Sequence, residues 1–515
     1  MSVKLFTIGD SISQGFMSGA AARTDQSYST LISQILEAEN YNYPDWPKDG
    51  LPFNIETLLR RLEKRLGNDI SGIFEWPVAI NIINNYLDEI EDYYERGPGA
   101  LHNAVERKPF HNVSVRGFDV SNSWQLTPST CEKLISESNK NGDNFFGMVN
   151  ESLLRTAHKV LASGSGTTDD FSQLDWLNYH HQKEGVENIA LWLGANNALG
   201  TVLDLKIIQT SQDGKAFSNG PDKISYKDRL DAKWNLWHPE DFRVEYQFMI
   251  DKVVAIMENN PHNIDYKIFV ATIPLVTICP LIKATEKHGR EIIKVIEWPV
   301  NENNPSPMGI TDLPKSKVEE VSYGKYYPYF MFEDNFDINL NHLNQQDVLH
   351  IDNFIRRYNR IIQEVIAEAN KKIGANRFYL VDIATQFSKM ALKRNNYDPT
   401  YEYPDYFNTC YPKVDTRYYG TTREGVKKSG GLFSLDGVHP TSIGHGLLAY
   451  EFLKVMKKAK VITTNPEKLI DWHFIFTNDS LYSSPIKLLS EIYDNNNLKK
   501  WFYKRLSNRW EDEKF

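Results

Sequence analysis

The sequence predicts an α/β fold in which a mostly parallel sheet of five strands is covered by helices. Five short runs are rich in apolar, β-branched or aromatic residues, which is typical of strands buried on both faces. Helical patterns lie between these runs, and strands that alternate with helices indicate a parallel, doubly wound sheet. The predicted strands are residues 3–8, 112–115, 189–193, 266–272 and 377–382.

Each predicted helix repeats apolar residues at helical spacing, so that one face can cover the sheet. The first spans residues 27–39, and two longer ones span 241–259 and 347–371. The last begins near Pro440, because proline suits the first helical turn, and it runs to about residue 458. Together with the strands, these helices account for a compact core.

Long insertions separate the units of that core. We assign the core to residues 1–39, 111–205, 241–281, 350–391 and 434–460, and the insertions to 40–110, 206–240, 282–349 and 392–433. Insertions of this length are usually functional loops or lids. We expect these helical and aromatic-rich insertions to form a cap, and residues 461–515 to form a C-terminal extension docked on the core.

Composition excludes several classes of function. The 515 residues are 41% hydrophobic and 24% charged, which is typical of a globular chain. Lys and Arg number 58 against 67 Asp and Glu, a net charge of −9, which argues against nucleic acid as the main partner. Three widely separated cysteines predict neither a disulfide framework nor a zinc site.

The sequence also indicates whether the chain has a membrane segment and where the protein is located. The first residues lack the long apolar run of a secretory signal, and the longest apolar run, 268–282, is short and contains two prolines. We therefore expect no integral membrane segment and a cytoplasmic location, although the mature form of a secreted protein would look the same. The sequence does not indicate the oligomeric state.

Two segments carry the residue types of a serine nucleophile and its base. Ser11 follows the first strand in Gly-Asp-Ser, and Asp436 lies three residues before His439, just ahead of the last helix. A serine nucleophile needs a base to take its proton and a carboxylate to orient that base. Each segment alone also fits a polar turn with a capping residue.

Two further segments end strands and offer hydrogen-bond donors. Asn196, in Gly-Ala-Asn-Asn after the third strand, has an amide that can donate to a developing oxyanion. Gly117 ends the second strand, where a backbone N–H can approach a ligand. All four segments fall at the carboxyl end of a strand or just before a helix, where α/β folds build their sites.

In these four blocks the sequence resembles the GDSL, or SGNH, serine hydrolase family, which is named for a Ser, a Gly, an Asn and a His. The matching positions are 9–11, 117, 194–196 and 436–439. The resemblance implies a flavodoxin-like three-layer α/β/α sandwich and a carboxylic-ester hydrolase of esterase or lipase type, with no cofactor and no metal. It covers the core strands and helices and says nothing about the insertions.

The resemblance also implies a role for each matched residue. Ser11 would be the nucleophile, His439 the general base and later the acid, and Asp436 the carboxylate that orients it. The oxyanion hole would consist of the Ser11 and Gly117 backbone N–H groups and the Asn196 side chain. Two positions depart from the family pattern: Ile12 stands where Leu is usual, and Asn197 stands where Asp is usual.

Three functions fit this site. The first is hydrolysis of an acyl ester of a small molecule, a glycan or a lipid. The second is transfer of the acyl group to another alcohol, and the third is a catalytically inactive binding module. Because nucleophile, base, acid and donor are all present, we favour hydrolysis. Outside the site, we expect His180-His181 to be a solvated connection and His445 to be structural.

Overall fold

A computed structural model describes most of the core and parts of the insertions. The described residues are 2–21, 23–68, 75–101, 109–139, 149–162, 170–210, 226–284, 291–297, 317–323, 326–328, 342–393, 395 and 398–490. The remainder of the insertions and residues 491–515 of the predicted extension lie outside them.

Four parallel strands form the central sheet, and the predicted α/β class is confirmed. The strands are β1 (Phe6–Gly9), β4 (Asn188–Trp192), β5 (Lys267–Ala271) and β10 (Phe378–Val381), in the order β1-β4-β5-β10. Ile189 and Leu191 of β4 face one hydrophobic core, while Ala190 and Trp192 face a second. This alternation places a core on each face of the sheet.

The prediction of five regular strands is wrong by one. Residues 112–115 run beside β1, and the N–H groups of Val113 and Val115 donate to Thr7 O and Gly9 O at 3.1 and 3.2 Å. Only one bridge, between Thr7 and Asn112, is regular. The Ser114 N–H points away from β1 and donates to the Asn112 side chain at 3.0 Å. Among the described residues, no bond joins the Gly9 N–H to Val113 O, so the ladder beside β1 is interrupted.

Helices cover both faces of the sheet. Trp176 and Leu177 of α8 pack in the first core, and Tyr28 and Ile32 of α2 pack in the second. The helices of the core units are α1 (Ser11–Gln14), α2 (Tyr28–Ile35), α5 (Asn122–Gln125), α6 (Pro128–Asn139), α7 (Ser152–Leu161), α8 (Gln173–Lys183), α9 (Asn196–Asp204), α11 (Pro239–Glu258), α12 (Gln345–Ile373), α13 (Ile383–Met390) and α15 (Ser442–Lys458).

The insertions and the extension contain further helices and strands. Their helices are α3 (Ile55–Leu66), α4 (Glu75–Glu91), α10 (Tyr226–Ala232), α14 (Tyr406–Thr409), α16 (Pro466–Leu469), α17 (Trp472–Asn478) and α18 (Ser480–Ser483). Their strands are β6 (Ile282–Ala284), β7 (Glu291–Glu297), β8 (Lys317–Tyr323), β9 (Tyr326–Pro328), β11 (Gly420–Thr421) and β12 (Lys427–Ser429). A small hairpin, β2 (Phe16–Met17) with β3 (Ala20–Ala21), follows α1. The domain boundaries and the cap stay predictions.

Searching the described helices for a membrane span gives none that is both long and apolar enough to cross a bilayer.

Candidate active site

Ser11 lies at the point where β1 passes into α1. It is the first residue of that short helix, and the side chain of Asp10 caps the helix by accepting the Ile12 N–H at 3.1 Å. Gly9 is required here because a Cβ atom would lie 2.3 Å from Ser13 Oγ. The strand end therefore places Ser11 at the carboxyl edge of the sheet. Ser11 is only 5% exposed there.

Asp436 and His439 belong to one tight loop before α15. The Asp436 Oδ1 atom accepts hydrogen bonds from the N–H groups of Val438 and His439, both at 2.8 Å. Gly437, which follows Asp436, makes the turn with φ +69°. Thr441 then caps α15 by accepting the Gly444 N–H. These local bonds hold the carboxylate and the imidazole in a set orientation.

The loop and the strand end meet, although they are more than 400 residues apart in sequence. His439 Nε2 lies 2.9 Å from Ser11 Oγ, and His439 Nδ1 lies 3.0 Å from Asp436 Oδ2. An ionised carboxylate only accepts, so Nδ1 carries the proton and Nε2 accepts the Ser11 hydroxyl. This is the geometry that lets a histidine withdraw a proton from a serine.

The electrostatics of Asp436 suit that orientation. Burial by itself raises the pKa of this carboxyl, but the charge of His439 and its hydrogen bonds outweigh burial, so the pKa lies below its ordinary value. One further donor is the Gly19 N–H, 3.0 Å from Asp436 Oδ2. Asp436 is therefore ionised at neutral pH and can stabilise a positive charge on His439.

Gly117 and Asn196 are the two further residues predicted to donate hydrogen bonds at the site. Gly117 has φ +74°, a left-handed conformation that favours glycine. Within the described part of the chain, neither the Ser11 N–H nor the Gly117 N–H has a hydrogen-bond partner. Backbone N–H groups without a partner are able to bind a developing negative charge. The segment that carries Gly117 is joined to the end of β1 by the Val115 N–H, which donates to Gly9 O at 3.2 Å.

The Asn196 amide is held by its neighbours. Its Nδ2 atom donates to Phe118 O at 2.9 Å and to Asp10 Oδ2 at a longer 3.3 Å. Asp10 is buried, which raises its pKa to about 7 despite the opposing effects of the Ile12 N–H and His439. The short bond orients the amide, and the longer bond to Asp10 is the weaker one, in which a ligand oxygen would replace the acceptor.

Asn197, which departs from the family pattern, keeps an acceptor. Its Oδ1 atom accepts the Val120 N–H at 3.2 Å, as a carboxylate in its place could. Its Nδ2 atom is buried without a hydrogen-bond partner among the described residues. The substitution therefore preserves the bond to the segment that follows Gly117.

Two contacts around His439 were not predicted from the sequence. The Phe16 ring packs on the His439 imidazole with centroids 4.5 Å apart, and Gly19 in the same hairpin donates to Asp436. Both residues lie in the segment directly after the Gly-Asp-Ser block. Its short apolar–turn–apolar pattern, Phe-Met-Ser-Gly-Ala-Ala, was a signal for a hairpin there.

The predictions for the histidines outside the site can be compared with their burial. The prediction that His180 and His181 form a solvated connection is wrong: both are buried in α8, because that helix turns them toward the sheet and its neighbours. His445 is fully buried, and its Nδ1 atom accepts the Tyr28 N–H at 3.3 Å. Across the described ranges, no group of three or more His, Cys, Asp or Glu residues could hold a metal ion.

Comparison with protein-family models, with curated proteins and with solved structures finds no match to this chain.

Proposed function

We propose that this protein is a serine hydrolase that cleaves a carboxylic ester through an acyl-enzyme on Ser11, in the manner of the SGNH family that its sequence resembles. The observation that carries the proposal is the continuous chain from Ser11 Oγ to His439 to Asp436, at 2.9 and 3.0 Å. For the fold, we also propose a more specific class than α/β, namely a flavodoxin-like three-layer sandwich.

Acylation begins when His439 Nε2 takes the Ser11 proton as Oγ attacks the ester carbonyl. The carbonyl oxygen becomes negative and is bound by the Ser11 and Gly117 N–H groups and by the Asn196 amide. Asp436 stabilises the imidazolium that forms. His439 then protonates the departing alcohol oxygen, which leaves the acyl group on Ser11.

Deacylation repeats these steps with water. His439 takes a proton from water, the hydroxide oxygen attacks the acyl carbon, and the same donors hold the second oxyanion. Collapse of this intermediate returns the proton from His439 to Ser11 Oγ and releases the carboxylic acid. An inactive binding module would not need the serine, imidazole and carboxylate in hydrogen-bonding register, so we favour the enzyme.

Hydrolysis of p-nitrophenyl esters with increasing acyl length tests this proposal. We expect the wild-type protein to hydrolyse at least one of them and Ser11→Ala to lose that activity. Ser13→Ala is the matched control, because Ser13 Oγ lies in the same helix but bonds to Tyr28 Oη at 2.8 Å. Equal rates for wild type and Ser11→Ala would contradict the proposal.

A further inference from the structure

A buried arginine from the 206–240 insertion lies between two carboxylates. Arg229 Nη2 is 2.9 Å from Asp119 Oδ2, and Arg229 Nη1 donates to Glu245 Oε1 of α11. The Arg229 side chain is only 4% exposed. Its guanidinium also lies over the Trp237 ring, 5.6 Å from the centroid. An arginine is suited to such a bridge because its planar fork offers donors in two directions.

Asp119 connects this arginine to the segment that begins at Gly117. We call residues 117–122 the oxyanion loop. While one Asp119 oxygen binds Arg229, the other accepts the Ser121 hydroxyl at 2.8 Å and the Asn122 N–H at 3.1 Å. The Asp119 N–H in turn donates to Asn122 Oδ1 at 2.8 Å. Asp119 is thus the residue around which the loop folds.

The other edge of the oxyanion loop is fastened to α9. Phe118 O accepts the Asn196 amide at 2.9 Å, and the Val120 N–H donates to Asn197 Oδ1 at 3.2 Å. The donors proposed to bind the oxyanion are therefore part of one hydrogen-bonded unit. Any displacement of Asp119 shifts Phe118 and Val120 beside it, and with them the bonds to Asn196 and Asn197.

We propose that Arg229 is a positioning residue for the oxyanion hole: by binding Asp119, it holds the oxyanion loop at the place where Gly117 and Asn196 can act together. This inference rests on the proposed hydrolase function. It assigns a role to an insertion that the family resemblance leaves unexplained. Arg229 touches neither Ser11 nor His439 in the described structure, so it acts through Asp119.

Loss of Arg229 is expected to displace Asp119 because an unpaired buried charge is costly. Without the guanidinium, Asp119 is a buried carboxylate that has lost its positive partner, and we expect it to move toward solvent. That movement loosens the oxyanion loop. Misplacing catalytic donors by about 1 Å can cost about 100-fold in rate, whereas substrate binding is affected less.

Steady-state kinetics of Arg229→Met and Arg229→Lys test the inference on the ester that the wild type hydrolyses. We expect Arg229→Met to lower kcat by about 10- to 100-fold with KM nearly unchanged. Arg229→Lys, which keeps the charge but not the fork, should recover part of that loss. Arg243→Met is the matched control: the Arg243 guanidinium pairs with Glu364 of α12 at 2.5 Å, its side chain is 39% exposed, and the variant's kcat should equal that of the wild type.

Combining Arg229→Met with Asn196→Ala separates positioning from general damage. If Arg229 acts through the oxyanion hole, Arg229→Met should lower kcat by a smaller factor in the Asn196→Ala background than in the wild type, because coupled residues are not additive. An unchanged kcat in folded Arg229→Met, or fully additive losses in the double variant, would overturn the inference while Ser11-dependent hydrolysis stands. If Arg229→Met does not fold, the Lys variant carries the same two comparisons. Absence of Ser11-dependent hydrolysis in the wild type would instead overturn the proposed function.

Discussion

The two sides of Ser11 are built in different ways. On the acid–base side, Asp436 and His439 lie in one loop, and the Asp436 carboxylate bonds the backbone of that loop directly. On the donor side, Gly117 and Asn196 come from separate segments, and Asn196 is held by Phe118 and Asp10. The first side is fixed locally, whereas the second depends on contacts between distant parts of the chain.

This difference predicts how the two sides respond to substitution. The acid–base side should fail when one of its own residues changes and tolerate changes elsewhere. The donor side should also fail when supporting residues such as Arg229 and Asp119 change, because those residues set where the donors lie.

The largest effect is expected for Asp436→Asn on the acid–base side. The new amide can donate to His439 Nδ1, which leaves the proton on Nε2 and prevents it from accepting the Ser11 hydroxyl. We expect kcat to fall by about 1,000- to 10,000-fold in ester hydrolysis. Asp471→Asn is the control, because Asp471 caps α17 through the Phe474 N–H, away from the site. A loss of less than tenfold would show that Asp436 does not orient His439.

Asn196→Ala tests the donor side directly. It removes one oxyanion donor and leaves the Ser11–His439–Asp436 chain intact, so we expect kcat to fall by about 100- to 1,000-fold. The folded state should survive, which a thermal unfolding curve can check. Near-wild-type turnover in this variant would refute the role of Asn196.

Gly117→Ala should have a smaller effect that separates backbone strain from catalysis. An alanine at φ +74° shifts the backbone, and displacing the Gly117 N–H should lower kcat by about 10- to 100-fold. Gly374→Ala is the matched control: it has φ +76° at the end of α12, and a Cβ there meets nothing within 4 Å. We expect similar losses of stability in both variants, and lowered kcat only at Gly117. Equal kcat in the two variants would remove Gly117 from the donor set.

The smallest expected effect is on stability rather than rate, and it concerns His445, which lies outside the Ser11–His439–Asp436 chain. Burial, with a smaller effect of His439, lowers the pKa of His445 to about 3. The unfolded chain binds a proton there below pH 6.5 and the folded chain does not, so stability is lost as pH falls from 6.5 toward 3. At pH 5 this loss is about 2 kcal/mol.

Urea unfolding at pH 7 and pH 5 measures that contribution. His445→Gln should lose less stability than the wild type between the two pH values. The exposed His473, substituted by Gln, should keep the wild-type pH dependence. An unchanged pH dependence in His445→Gln would mean that this histidine is not neutral and buried.

The features that the sequence predicted are those encoded by neighbouring residues. The Asp436–His439 loop follows from a three-residue spacing and a helix start, and the four sheet strands follow from continuous apolar runs. The fifth run, residues 112–115, was predicted as a strand on its two β-branched residues, Val113 and Val115. The alternate residues, Asn112 and Ser114, are polar and bond to each other, and the segment keeps only an interrupted ladder with β1.

The supporting contacts were beyond sequence reasoning because they join distant segments. Gly19 and Asp436 are separated by 417 positions, and Arg229 and Asp119 by 110. No local pattern marks such pairs, since a glycine in a hairpin and an arginine in a short helix each suit many structures. The sequence therefore predicted insertions that form a cap, but it could not indicate which of their residues contact the core.

The most direct test of the central claim is labelling by a fluorophosphonate probe, which reacts with an activated serine. Wild type, Ser11→Ala and His439→Ala should be compared after each is shown to be folded. We predict labelling of the wild type, none of Ser11→Ala, and strongly slowed labelling of His439→Ala. A folded wild type that is not labelled, or equal labelling of Ser11→Ala, would contradict the claim that Ser11 is an activated nucleophile.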